Sequence, residues 1–247
     1  MSAPVYLVPT EKASGWVDGA LVDLDGPEAR HAVTVRRTAA GEIIVLSDGA
    51  GRWARGPVRS VGRDQLTIEV AEHGEDPIPA VRFVLVQALA KGDRDERAVE
   101  TATEYGVDEV VPWQASRSIV QWRGDRGMRS WASWDAVIVA ATKQSRRTRR
   151  PVLSPTCSTA DLLSRVRAGS TAYVLDEEAR VPLAGVDQPS AGEVLLIVGP
   201  EGGVSDAERT AFVDAGARLV RLGPQVLRSS SAGPAAIAVL SAATRWR

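Results

Sequence analysis

Residues 195–208, LLIVGPEGGVSDAE, constrain the fold of this chain more than any other segment. A run of four apolar residues leads directly into Gly199-Pro200-Glu201-Gly202-Gly203, and Ser205 and Glu208 then have the spacing of a helix-capping box. The segment therefore predicts a buried strand, a glycine turn and a helix, in that order.

A second segment repeats this pattern further along the chain. Residues 218–222 predict a short strand and Gly223-Pro224 a tight turn, after which a polar loop leads into an Ala-rich helix that we expect to begin at Pro234. Ligand crevices in open α/β sheets lie beyond the carboxyl ends of the strands. Two such turns at one edge of a parallel sheet therefore predict a ligand cleft.

Neither turn has the sequence of a phosphate-binding loop. No G-x-G-x-x-G follows a predicted strand, and G-x-x-x-x-G-K-[ST] does not occur in the chain. We interpret the glycines as positions where the backbone approaches a flat ligand closely. A purely structural strand-to-helix turn is the alternative.

The N-terminal part of the chain predicts a small β-rich domain. The predicted strands are residues 17–24, 42–46, 53–61 and 65–70, with one helix over residues 27–37 that Pro27 would start. Residues 72–79 are polar and contain two prolines, which places the domain boundary there. We therefore expect domains at residues 1–73 and 74–247.

From residue 81 onward the pattern changes to strands that alternate with helices, which is typical of a parallel sheet. Besides the two motif strands, the predicted strands are residues 81–89, 107–112 and 171–175. The predicted helices are residues 95–105, 131–142 and 161–168.

The local distribution of charge says more about possible binding partners than the net charge of −1 does. Five cations lie within residues 143–150, namely Lys143, Arg146, Arg147, Arg149 and Arg150. Such a density favours a contact with RNA, although a solvated helix end is the alternative. A second basic group in the other domain (Arg30, His31, Arg36 and Arg37) favours the RNA interpretation. Lys91, Arg94 and Arg97 follow a predicted strand and either contact RNA or pair with the acids around them.

Composition excludes several classes of site. The single Cys157 excludes an internal disulfide, and no Cys/His cluster indicates a bound metal. No leader and no apolar run of roughly 20 residues is present, so we expect a cytoplasmic protein without a membrane segment. Both histidines precede the predicted cleft, so chemistry at the glycine turns would proceed without a histidine base.

Taken together, the motifs resemble those of the 16S ribosomal RNA (uracil-N3)-methyltransferases. GPEGG followed by S-D-x-E and LG-x-x-[IV]LR before a small-residue helix are similar to that family's paired loops. The runs that begin at Gln87, Glu104 and Lys143, and the N-terminal Arg30-His31 and Val35-Arg36-Arg37, also fall where that family has similar runs. The resemblance covers nearly the whole chain.

The resemblance implies a fold, an activity and partners. The fold would be a knotted parallel-sheet α/β domain of the SPOUT class of methyltransferases, preceded by a small PUA-like β-barrel. The activity would be methylation of N3 of a uridine in 16S ribosomal RNA, position 1498 in the usual numbering, with S-adenosylmethionine as cofactor. The partners would be the small ribosomal subunit and a second copy of the chain, paired through the knot domain, with no metal and no membrane.

The resemblance also implies which residues surround the cofactor. Leu175 would border the adenine, and Gly199, Pro200, Glu201 and Gly202 would lie on the methionine and ribose side. Leu222, Gly223, Val226 and Leu227 would form the loop that faces the adenine. RNA would contact Arg30, Arg36, Arg37, Lys91, Lys143, Arg146 and Arg147.

Methylation of N3 requires that the imide proton leave as the nitrogen attacks. A base and a group that stabilises negative charge on the flanking carbonyl oxygens both help. Arg228 is the candidate for charge stabilisation, whereas Glu201 is either the proton acceptor or a structural carboxylate at the helix start. Ser229-Ser230-Ser231 stand where the family commonly has an acidic residue, which weakens a mechanism that relies on a base at that position.

Three other functions stay open at this point. One is 2′-O-methylation by the sister branch of knotted enzymes, whose motifs use asparagine, a residue that this chain lacks. Another is a non-catalytic RNA-binding module, which the Ser triplet keeps possible. A small-molecule α/β enzyme is the third, but it leaves both basic groups unexplained.

Overall fold

The computed structural model describes residues 3–246, which form two compact units. The first unit comprises the described chain up to Ile78 together with Thr142–Arg150, and the second comprises Pro79–Ala141 and the chain from Pro151 onward. The structural division therefore lies five residues beyond the predicted boundary after His73. It also assigns to the first unit a basic segment that the sequence prediction placed in the second domain.

The first unit is built on a six-stranded sheet. Its strands are β1 (Val5–Leu7), β2 (Leu21–Asp25), β3 (Ile43–Ser47), β4 (Arg52–Val61), β5 (Gln65–Glu69) and β6 (Glu72–Glu75). The strand order is β1-β3-β4-β5-β2, with β6 paired to β4, and only the β1–β3 pairing is parallel. A short 3-10 helix (Thr10–Gly15), α1 (Gly26–Arg30) and a π-helical turn (His31–Val35) complete the unit.

Two sequence predictions for this unit were wrong. The strand predicted over residues 17–24 begins only at Leu21, because Gly19 adopts a φ of 80° and donates its amide to the carbonyl of Val70 in a turn. The polar residues 72–75 form β6 rather than a linker. An edge strand needs main-chain partners more than apolar side chains, and β6 finds those partners along Arg52–Arg55 of β4.

The second unit contains a seven-stranded sheet in which every pairing is parallel. Its strands are β7 (Val81–Ala88), β8 (Glu109–Gln114), β9 (Val152–Leu153), β10 (Cys157–Ser158), β11 (Thr171–Leu175), β12 (Gly192–Val198) and β13 (Arg218–Val220). The order is β10-β8-β7-β12-β11-β13, with β9 also paired to β8. The predicted α/β fold with a parallel sheet is confirmed, and the knot stays a prediction.

Helices cover both faces of this sheet, which explains why its central strands are mostly apolar. The helices are α2 (Arg94–Glu104), α3 (Gly124–Gln144), α4 (Thr159–Arg167), α5 (Asp206–Asp214) and α6 (Ser229–Thr244). On one face Phe83 and Leu85 of β7 share a core with Ile237 of α6. On the other face Val84 packs in a core with Phe212 of α5.

The predicted start of the last helix at Pro234 was wrong. Helix α6 begins at Ser229, where the carbonyl of Arg228 accepts hydrogen bonds from the amides of Ser231 and Ala232. Pro234 lies inside the helix and is buried, so its ring packs in the core although it cannot donate a backbone hydrogen bond. The Ser triplet thus forms the first turn of α6 rather than a polar loop.

Candidate functional site

Three loops meet at the carboxyl edge of the parallel sheet. They follow Leu175 of β11, Val198 of β12 and Val220 of β13, which are neighbouring strands. The first two loops, Leu227 of the third loop and the start of α6 enclose a cleft of about 340 Å³, and the third loop also lines an adjoining cavity. This is the edge at which the sequence predicts a ligand cleft.

The structure brings together most of the predicted cofactor residues. Those that line the cleft are Leu175, Gly199, Pro200, Glu201, Gly202 and Leu227. Leu222 and Gly223 line the adjoining cavity, which Leu175 and Leu227 share. Val226 lies apart from both, with 75% of its surface exposed. Arg228 is exposed and lines neither cavity, although both of its chain neighbours line the cleft.

The turn after β12 requires glycine at two positions. A Cβ atom on Gly199 would lie 2.9 Å from the backbone nitrogen of Val204. Gly203 has a φ of 69° and donates its amide to the carbonyl of Pro200 at 2.8 Å. The loop therefore folds back on itself tightly, and side chains larger than hydrogen do not fit its inner side.

The helix after this turn is fixed by a buried carboxylate. Ser205 and Glu208 form the predicted capping box of α5. Glu208 also accepts hydrogen bonds from the amide and hydroxyl of Ser116 at 2.8 and 2.7 Å and from the hydroxyl of Thr159 at 3.0 Å. Burial raises the pKa of Glu208, but the hydrogen bonds from Ser205 and Ser116 outweigh it and hold the pKa below its ordinary value. Glu208 is thus an ionised anchor for the loop.

Glu201, the acid of the glycine turn, is also held in place. Its Oε1 accepts a hydrogen bond from the guanidinium of Arg94 at 2.8 Å and one from the amide of Lys91 at 3.2 Å. Burial raises the pKa of Glu201, but these contacts and its own backbone amide outweigh it, so that the pKa is lowered. A carboxylate held in its ionised form by a cation is a weak base, and this geometry favours the structural role for Glu201.

Arg209 of α5 holds the loop after β11. Its guanidinium donates to Asp176, which is 8% exposed, at 2.9 Å and to Glu178 at 3.1 Å, and it also pairs with Asp206. Hydrogen bonds to these three carboxylates raise the pKa of the guanidinium. Glu177, between the two held acids, lines both cavities and has no cation within 4.0 Å among residues 3–246.

Sequence reasoning missed two arginines that line the cleft. Arg209 lies three residues after Asp206 at the start of a predicted helix, and this spacing signals an ion pair. Arg117 lies in the loop after β8 and donates to the carbonyl of Gly202 at 2.8 Å. The signal for Arg117 was its position after a predicted strand, at the same sheet edge as the glycine turns.

Ser229, the first residue of α6, lines the cleft. Its hydroxyl oxygen is buried and has no hydrogen-bond partner among the described residues. The first amides of a helix also have no partner within the helix. Where the resemblance implies an acidic residue, this chain therefore has an uncharged hydroxyl that lines the cleft.

The basic segment at residues 143–150 makes contacts within the first unit. The ammonium of Lys143 pairs with Glu28 at 2.7 Å. Arg149 donates to the carbonyl of Asp76 and lies 3.5 Å from Glu75. Part of the charge that favoured an RNA contact is thus compensated by acids of the same unit. RNA binding by Lys143, Arg146 and Arg147 stays a prediction.

The other predicted RNA contacts differ in their partners. Arg30 pairs with Asp64 at 3.3 Å, and both side chains are exposed. Arg36 and Arg37 are exposed after the π-helical turn, and Arg37 has a φ of 55°. Lys91 is exposed beside the glycine turn, to which its amide is bonded. Lys91 therefore lies beside the cleft of its own unit.

Metal ligands, membrane-spanning helices and reactive thiols are further features that a site could use. Within residues 3–246, no three His, Cys, Asp or Glu side chains are grouped so as to hold a metal ion. None of the described helices is both long enough and apolar enough to cross a membrane. Burial raises the pKa of Cys157 to about 12, which keeps this thiol protonated and unreactive.

Comparison with known proteins gives consistent results. Residues 77–241 match the RNA methyltransferase domain family, and residues 24–71 match the PUA domain of RNA methyltransferases. Ribosomal RNA small subunit methyltransferase E of Mycobacterium bovis is 43% identical over 92% of this chain and 89% of its own length. The Bacillus subtilis protein of the same name is 27% identical over 88% of each chain.

Two solved structures have the same architecture. The Neisseria gonorrhoeae ribosomal RNA small subunit methyltransferase E, crystallised with S-adenosylmethionine, has a TM-score of 0.86 at 26% identity and 98% coverage of both chains. A Legionella pneumophila methyltransferase in complex with S-adenosylmethionine has a TM-score of 0.83 at 25% identity and the same coverage.

Proposed function

The chain belongs to the ribosomal RNA small subunit methyltransferase E family, and from this premise we propose that it methylates N3 of uridine 1498 in 16S ribosomal RNA. The cofactor is S-adenosylmethionine, with which two relatives of the same fold were crystallised. The observation that carries the proposal is the cleft that three loops form at the carboxyl edge of the sheet.

The residues of the cleft fit the chemistry of this cofactor. A neutral adenine needs apolar walls and a few amide contacts, which Leu175, Leu222 and Leu227 and the backbone of the third loop supply. The methionine end of S-adenosylmethionine carries positive charge, and a carboxylate of the cleft would hold it. We assign that role to Glu177, because Arg209 already neutralises Asp176 and Glu178 on either side of it.

S-adenosylmethionine supplies the methyl group, and the uracil imide must release a proton for N3 to attack. Glu201 is bonded to Arg94 and Lys91, and we therefore assign it to holding the glycine turn rather than to accepting that proton. The proton passes to solvent water in this proposal. Arg228, which stands between two residues of the cleft, remains the candidate that stabilises negative charge on the uracil carbonyls. Positioning of N3 in line with the methyl group supplies much of the remaining acceleration.

The same proposal extends to assembly and location. We infer a homodimer formed through the sheet domain, with the small residues of α6 permitting close helix contact. The substrate is the RNA of the small ribosomal subunit, which places the enzyme in the cytoplasm. A solely monomeric species by light scattering contradicts the dimer without affecting the assignment of the cleft.

Two measurements test the proposal together. The first is calorimetric titration of the purified protein with S-adenosylmethionine, and the second is transfer of labelled methyl from the cofactor to small ribosomal subunits that lack the modification. We expect saturable binding and one methyl group per subunit. RNA affinity without cofactor affinity would instead indicate a non-catalytic RNA-binding module.

A further inference from the structure

Residues 117–129 form a basic segment whose arginines are exposed. The segment runs from the loop after β8 into the start of α3 and carries four arginines (Arg117, Arg123, Arg126 and Arg129) against the single acid Asp125. All four side chains are exposed. Within the described chain, none of the four guanidinium groups has a carboxylate oxygen within 4.0 Å.

Two other cations near the sheet edge are, in contrast, paired with acids of the chain. Arg94 is paired with Glu201 and Arg209 with Asp176. Like charges at helical spacing repel one another, and cations near a helix start are unfavourable. Asp125 in the first turn of α3 offsets part of this cost, and an anion bound from outside the chain would offset the rest.

The segment is continuous with the cleft through Arg117. This side chain lines the cleft and donates to the carbonyl of Gly202 at 2.8 Å. Ile119 and Met128, which are 70% and 66% exposed, lie in the same segment. Exposed apolar side chains and arginines on one segment suit single-stranded RNA, whose splayed bases and backbone phosphates are both accessible to a protein surface.

We propose that residues 117–129 are the surface along which the substrate RNA backbone lies as the target uridine enters the cleft. The arginines neutralise phosphates and so fix the register of the strand, while the bases are read elsewhere. This inference rests on the proposed function. It moves the main RNA contact away from residues 143–150, where Glu28 already pairs with Lys143.

The test uses a charge-removal pair and a matched control in the full-length protein. Arg123→Gln/Arg126→Gln removes two charges from the segment without altering the cleft. Arg167→Gln/Arg218→Gln removes two exposed charges from the amino edge of the same sheet, at the end of α4 and the start of β13. The readouts are the Kd for a fluorescein-labelled RNA containing the target uridine, at several salt concentrations, and the Kd for S-adenosylmethionine by calorimetry.

We expect the Arg123/Arg126 variant to bind RNA at least about tenfold more weakly at low salt. The slope of log Kd against log salt should fall by about 1 to 2, since each lost phosphate contact changes it by roughly 0.7 to 0.9. The cofactor Kd should stay within about twofold for both variants, and the control should keep the wild-type RNA affinity and slope.

Unchanged RNA affinity and slope in the Arg123/Arg126 variant would overturn the inference. So would a change of oligomeric state by light scattering at unchanged RNA affinity, because the segment would then contact protein. An equal loss of RNA affinity in the control variant would also overturn it, because the effect would then follow from the net charge of the protein and not from this segment. Failure of the wild type to bind cofactor refutes the proposed function instead, and that result is read from a separate titration.

Discussion

Replacement of Gly199 by alanine should disrupt the glycine turn, and the reason lies in three distances. The added Cβ would lie 2.9 Å from Cγ2 of Val204, 2.9 Å from the backbone nitrogen of Val204 and 3.1 Å from the carbonyl carbon of Gly203. The valine methyl can rotate away, but the two backbone atoms cannot move unless the turn opens. Gly202 provides a matched control three residues away, since its added Cβ would make only ordinary contacts of 3.6 and 3.7 Å with Arg117.

The expected magnitude follows from the usual cost of overpacking, which is about 1–3 kcal/mol. For a chain of this size each kcal/mol lowers Tm by roughly 2–4 °C, so Gly199→Ala should lower Tm by about 2–12 °C. Because the turn lines the cleft, the Kd for S-adenosylmethionine should also rise by at least about tenfold. Gly202→Ala should change Tm by less than about 2 °C.

The assay is differential scanning calorimetry of both variants with and without cofactor, followed by cofactor titration at a temperature where each is folded. The reasoning fails if Gly199→Ala keeps the wild-type Tm and cofactor affinity. It also fails if Gly202→Ala is affected as strongly, because the geometry of the two positions would then not decide the outcome.

Three further predictions concern charged groups. Hydrogen bonds from Arg165 hold the pKa of Glu193 at about 2 against an ordinary 4.5. Above pH 4.5 this carboxylate therefore contributes up to about 3 kcal/mol to the free energy of unfolding, and the contribution is lost as pH falls from 4.5 to 2. In Arg165→Met, the free energy of unfolding measured with urea should depend less steeply on pH across this range. Glu177→Gln should raise the cofactor Kd about three- to tenfold without changing Tm, and an unchanged calorimetric Kd would remove the carboxylate from the cofactor site. Glu201→Gln should keep kcat within about threefold, whereas a drop of a hundredfold or more in single-turnover methyl transfer would make Glu201 the base after all.

The features that could be predicted from the sequence are those that local spacing determines. The capping box of Ser205 and Glu208 involves residues three apart, and the structure confirms it. The strand Thr171–Leu175 has the predicted bounds, since an apolar run between turn residues is itself a local pattern. The cleft followed from two such local patterns together with the rule for parallel sheets.

The features that the sequence did not reveal depend on distant partners. Glu28, which neutralises Lys143, is 115 positions away along the chain. From the sequence alone, the charge of residues 143–150 therefore had no visible acidic partner. The anchoring of Glu208 by Ser116 spans 92 positions. The start of α6 was misplaced because Pro234 is buried inside the helix, although proline usually prefers the first helical turn.

The central claim is that the cleft directs methyl transfer to N3 of one uridine. The most direct measurement is nucleoside analysis by liquid chromatography and mass spectrometry of 16S ribosomal RNA after small subunits lacking the modification are incubated with the enzyme and S-adenosylmethionine. The account predicts a single new 3-methyluridine, mapped by fragment masses to position 1498. A 2′-O-methylated nucleoside, methylation at another base, or no transfer by an enzyme that binds the cofactor would contradict it.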